Sequence, residues 1–144
     1  QFGVGKGLPR IAMAHNIPYV ATASVSELHD LEAKVTKAIP IRGSRYIHVF
    51  VPCPLGWGSE PHLTIKVARM AVESGLFPLF EAEYSQVTGR TPIRHKVPVE
   101  EYLKLQKRFA HLFRDPSQAA VISQIQAIAD ANIARYELLE ETPE

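Results

Sequence analysis

The sequence predicts an α/β fold with a mostly parallel sheet, and three observations carry that expectation. Short β-branched runs alternate with segments of helical spacing. The run RYIHVFV, residues 45–51, is nearly continuous in β-branched and aromatic residues, the pattern of a parallel strand covered on both faces. Asn16, Pro40 and Gly75 each stand where a helical segment must stop.

The elements follow in order. Pro9 suits a first helical turn, and Ile11, Ala12, Ala14 and His15 continue a short helix that Asn16 can end. Tyr19 to Ala23 is a β-prone run after Pro18. Ser24 or Ser26 can cap the next helix, with Glu27 and Asp30 in its first turn. Leu28, Leu31, Val35 and Ala38 keep helical spacing, so this helix runs from about residue 26 to 39, where Pro40 stops it. After a turn at Gly43 comes the strand at 45–51, expected to be parallel and central.

Pro61 and Thr64 start a helix that lasts to about Ser74, and FPLFEAEY, residues 77–84, is a further strand. Residues 86–98 turn to Thr, Gly, Pro, Arg and Lys, a surface excursion expected to hold no core. Val99, Tyr102, Leu103, Gln106, Phe109, Ala110 and Phe113 then trace one face of a helix that Asp115 and Pro116 break. A last helix carries Ile122, Ile125, Ala129, Ile133 and Tyr136 on one stripe. Three strands make a thin sheet for these two C-terminal helices, which fits half of a larger fold.

With 144 residues, 46% hydrophobic and 22% charged, the chain has the composition of one soluble domain with a core. A net charge of +1 gives no bulk signal for nucleic acid. The apolar runs fall short of the ~18 residues of a membrane span, so no membrane partner is expected. The single cysteine cannot close an internal disulfide, which favours a reducing, cytoplasmic setting. Gln1 opens the chain and Met13 is its first methionine, so a missing upstream segment is expected.

Cys53 is the main candidate for chemistry. A lone cysteine is commonly inert core. Here, however, Pro52 and Pro54 stiffen the bend just past a strand's carboxyl end, where open α/β sheets place ligands. Gly56 and Gly58 let backbone approach whatever the sulfur holds, and their N–H groups would tune a thiolate-bound metal or cluster. A Cys/His nucleophilic pair with His48 or His62 is the rival reading. The six histidines lack zinc-site spacing. GVGKG, residues 3–7, lacks phosphate-loop spacing and reads as a connector. Arg90, Arg94, His95, Lys96, Lys104, Lys107 and Arg108 form a basic zone interrupted by Glu100 and Glu101, read as a solvated face or a subunit contact.

AHNIPYVATASVSELHDLEAKVTKA, YIHVFVPCPLGW, TIKVARMAVESGLFPLFEAE and PVEEYLKLQKRF occur together and in order. This set resembles the carboxyl-terminal half of the thiamine diphosphate-binding, iron–sulfur beta subunit of 2-oxoacid:ferredoxin oxidoreductases, closest to the pyruvate branch. The resemblance implies that residues 1–85 are the later part of a thiamine diphosphate-binding domain, 86–98 an excursion and 99–144 a helical extension.

It also implies that Cys53 is the fourth thiolate of a 4Fe-4S cluster, with Gly56 and Trp57 beside that cofactor. Trp57 either shields the cluster from water or packs as core. The other three cysteines, and the groups that hold magnesium and thiamine diphosphate, belong to the upstream half, so this segment would not be active alone. The implied activity is oxidative decarboxylation of a 2-oxoacid to an acyl-coenzyme A, with electrons passed to ferredoxin or another acceptor and with further subunits as partners. The 2-oxoacid is pyruvate by nearest resemblance, with an aryl 2-oxoacid such as phenylglyoxylate the alternative. The rival to an enzyme subunit is a scaffolding domain in which Cys53 is inert and the terminal helices dock a partner.

Overall fold

The computed structural model describes residues 5–139. Its elements are α1 (Leu8–Ala14), β1 (Tyr19–Ser24), α2 (Leu28–Ala38), β2 (Arg45–Phe50), α3 (Pro54–Trp57), α4 (Thr64–Glu73), β3 (Phe80–Glu83), β4 (Gln86–Arg90), α5 (Val99–Lys104) and α6 (Ala119–Tyr136). Turns of 3₁₀ helix occupy Pro61–Leu63, Lys107–Phe113 and Pro116–Gln118. The fold is α/β, and the local stop signals act as the sequence indicates. Asn16 turns left-handed (φ 54°) after α1, and Gly75 (φ 81°) ends α4.

The sheet has the order β2-β1-β3-β4. It is mixed where a mostly parallel sheet was expected: β1 and β2 run parallel, whereas β3 is antiparallel to both β1 and β4. Alternation of helices and strands sets element order but not strand direction. Here Thr22 Oγ1 donates to Pro78 O at 2.7 Å and accepts from Phe80 N at 2.9 Å, docking β3 in the reversed sense. Tyr84 and Ser85, both at positive φ, then close a tight hairpin into β4.

β2, expected at the centre, is an edge strand. The fully buried strand is β1, between β2 and β3. The expected surface excursion likewise begins with β4 and contains Ile93, which is buried in the core.

Two larger clusters make the core. One gathers Val20, Phe80, Ala82, Ile93, Ile133, Tyr136 and Leu138 on one sheet face. The other joins α4, α5, α6 and the 3₁₀ turn Lys107–Phe113 through Val67, Ala71, Leu103, Leu112, Ile125 and Ala129, with Phe50, Trp57 and Phe77 packed against it. The stripe on α6 is thus core: Ile125, Ala129, Ile133 and Tyr136 are buried and Ile122 half-buried.

The helix expected from Val99 to Phe113 breaks at Gln106. This residue is 1% exposed and extended (φ −131°, ψ 118°). Its side-chain Nε2 donates to Tyr102 O at 2.8 Å, taking the carbonyl that its own backbone N–H would use in a continuing α-helix. The chain then rewinds as a 3₁₀ turn.

Candidate functional site

Cys53 lies three residues beyond β2, extended (φ −107°, ψ 100°), as the residue that precedes α3. Pro54 opens that one-turn helix, and Trp57 N donates to Cys53 O at 3.0 Å. Pro52 is buried and anchors the bend, while Cys53 itself is exposed. Leu55, at the outer side of the turn, is 96% exposed.

Gly56 lies against the sulfur: a Cβ there would meet Cys53 Sγ at 3.5 Å. Gly58 ends the turn left-handed (φ 64°), where a Cβ would come within 2.8 Å of Lys107 Cβ. Lys107 N donates to Gly58 O at 3.2 Å, and Ser59 N to Pro54 O at 3.1 Å. The bend is therefore held from both ends. Ser59 Oγ, just behind it, is a buried side-chain oxygen without a hydrogen-bond partner among the described residues.

Trp57 turns inward. Its ring is 5.7 Å from Phe50, which in turn is 4.9 Å from Phe77. On its other contact, Arg108 Cζ stands 4.0 Å from the indole centroid. Trp57 is half-buried in this packing. Arg108 belongs to the basic zone expected from the sequence, but its members part company in the fold. Arg90 pairs with Glu137 at 2.6 Å, Lys96 with Asp130 at 3.0 Å and Lys104 with Glu100 at 3.0 Å. Arg108 instead stacks on Trp57 and Phe109. The aromatic at position 57 was visible in sequence; the break at Gln106 and the meeting of Trp57 with Arg108 were not.

The histidines stand apart from the cysteine. His48 lies within β2, its Nδ1 3.3 Å from Tyr46 Oη and its ring edge-on to Phe77 at 5.7 Å. It lines a cavity of about 370 Å³ with Thr22, Phe80, Asn132 and Tyr136. His62 is exposed in the 3₁₀ turn before α4. Among the described residues no hydrogen bond joins Cys53 to either ring. Of GVGKG, Gly5, Lys6 and Gly7 also line the His48 cavity, while Gly3 and Val4 lie outside the described residues.

As a donor set, this bend offers one accessible thiol on a stiff turn, which suits a single position on an iron–sulfur cluster. Among the described residues no group of three or more His, Cys, Asp or Glu side chains could hold a metal ion. A cluster held by Cys53 would take its remaining ligands from outside the described residues. No described helix is long and apolar enough to cross a membrane.

Comparison with known proteins places this chain in a class. No family model matches the chain. It is 46% identical over 133 residues to pyruvate synthase subunit PorB of Methanosarcina barkeri, covering 92% of this chain and 45% of that protein. It is 50% identical over 109 residues to PorB of Methanothermobacter marburgensis, covering 74% and 37%. With ketoisovalerate oxidoreductase subunit VorB of Pyrococcus abyssi it shares 43% over 107 residues, 73% of this chain and 34% of the relative. The chain belongs to the beta-subunit family of 2-oxoacid:ferredoxin oxidoreductases. It spans less than half the length of these relatives.

Proposed function

We propose that this chain is the part of a pyruvate-oxidising 2-oxoacid oxidoreductase that presents Cys53 as one thiolate ligand of a 4Fe-4S cluster. The carrying observation is an exposed cysteine on a turn anchored by buried Pro52 and by backbone hydrogen bonds, at the carboxyl end of a parallel strand. A thiol kept for packing would be enclosed. The glycine at 56 leaves the sulfur uncovered, and Trp57 braces the turn from inside.

In the complete enzyme the thiamine diphosphate supplies the carbanion chemistry and the cluster carries electrons. This chain's own residues orient one ligand and close the protein side of the turn. The remaining cysteines and the magnesium–diphosphate site come from the upstream half; coenzyme A, ferredoxin or a similar acceptor, and other subunits complete the reaction. Pyruvate is the proposed substrate because relatives named for it match at up to 50% identity.

The test is iron analysis and electron paramagnetic resonance of the complete complex carrying Cys53→Ser. The expected result is an altered or lost cluster signal with the fold intact. An unchanged signal with unchanged activity would remove the assignment and leave the scaffolding reading. A panel of 2-oxoacids on the unsubstituted complex tests the substrate: highest kcat/KM for pyruvate is expected, and preference for a branched or aryl 2-oxoacid would overturn that part.

A further inference from the structure

We infer that Arg108 is a positioning residue for the cysteine bend, its guanidinium stacked on Trp57 and locked from behind by Gln106 and Tyr102. The inference rests on the reading of Cys53 as a cluster ligand. Arg108 Nε donates to Gln106 Oε1 at 2.9 Å, and Nη2 donates to Tyr102 Oη at 3.3 Å. Gln106 is itself fixed, fully buried and bonded to Tyr102 O. A rigid path thus runs from the core, through a planar fork, to the indole 4.0 Å away.

Trp57 is one helical turn from Cys53 and bonded to its carbonyl. Lys107, the next residue along, bonds the same turn through Gly58 O. Two consecutive residues therefore grip the end of α3, one by backbone and one by side chain. Arg108 has no carboxylate partner among the described residues, so the stack and the two hydrogen bonds account for its placement. The break at Gln106 is what allows it: a continuous helix would carry residue 108 around the axis instead of aiming it at Trp57.

Neighbours that orient a metal ligand commonly cost 10–100-fold in metal affinity when removed. In the complete complex, Arg108→Gln is expected to change the g-values of the reduced cluster and to speed iron loss to a chelator by about ten-fold. Far-ultraviolet circular dichroism is expected to be unchanged. Arg108→Lys keeps the charge but not the planar fork, and is expected to behave like Arg108→Gln. Wild-type behaviour of the lysine variant would assign the effect to charge and overturn the positioning role.

Tyr102→Phe, which removes one hydroxyl, is expected to move the spectrum the same way by less. It decides the matter if Arg108→Gln does not fold, a wild-type spectrum then counting against the inference. Cys53→Ser runs alongside. If it alters the cluster and the Arg108 variants do not, only the present inference fails; if it leaves the cluster unchanged, the ligand assignment itself fails.

Discussion

Gly58 and Lys107 meet so closely that a single methyl group on the glycine would stand 2.8 Å from the lysine Cβ. The contact joins the bend carrying Cys53 to the segment carrying Arg108. Gly58→Ala adds both a left-handed alanine and an overlap with a part of Lys107 that cannot swing aside. The expected loss is about 1–3 kcal/mol of stability, read as a lowered thermal midpoint. An unchanged midpoint would show that the two segments separate freely.

Gly75 is more constrained. At φ 81°, a Cβ would sit 2.6 Å from Ile133 Cγ1 and 3.0 Å from Ala129 O, on the buried face of α6. Gly75→Ala should destabilise by about 2–3 kcal/mol, since overpacking and strain act together. Asn132, which donates to Gly75 O at 3.0 Å, would be displaced with it. Urea unfolding measures the loss, and a value below half a kilocalorie would contradict the packing described.

Lys34 is buried, with its ammonium 2.6 Å from Asp30 Oδ2 and 2.9 Å from Thr22 O; Asp30 Oδ1 in turn accepts from Thr91 at 2.6 Å. Lys34→Met strips Asp30 of its counter-charge and Thr22 O of a donor. A cost of roughly 2–4 kcal/mol is expected. Asp30→Leu combined with Lys34→Met should cost less than the sum of the single changes, because the second removes a charge already stranded by the first. Strict additivity would show that the pair is not coupled.

Tyr19, Tyr102 and Tyr136 all hold their phenolic protons more tightly than a free tyrosine, chiefly through burial. Tyr19 is raised further by its hydrogen bond to Glu81. Unfolded tyrosines release their protons near pH 10, so above about pH 10 the unfolded state binds fewer protons and stability falls as pH rises; below that, the contribution is constant. Lys37, held above its usual range by Glu83, acts in the same direction. Thermal midpoints should be level at neutral pH and drop in alkali, with a shallower drop in Tyr19→Phe. Equal slopes for the two proteins would exclude Tyr19 as a source.

What the sequence made legible was local. Asn16, Pro40 and Gly75 stop helices because their backbone limits act wherever the chain goes, and Pro52 and Pro54 mark the cysteine bend for the same reason. What it hid was tertiary. A helical stripe through Gln106 cannot reveal that its amide captures the Tyr102 carbonyl. The composition of β2 matches a strand buried on both faces, yet among the described residues only β1 pairs with it. Arg108 looked like one more solvated cation until the break aimed it at Trp57.

The outer rim of β2 has a practical consequence. Among the described residues no strand pairs with this rim, which runs beside Val49 and Val51, the latter 57% exposed, with no proline within the strand and Arg45 its only formally charged residue. Such a rim recruits any extended peptide it meets. Purified alone, these 144 residues should turn cloudy on concentration, a change that light scattering reads directly.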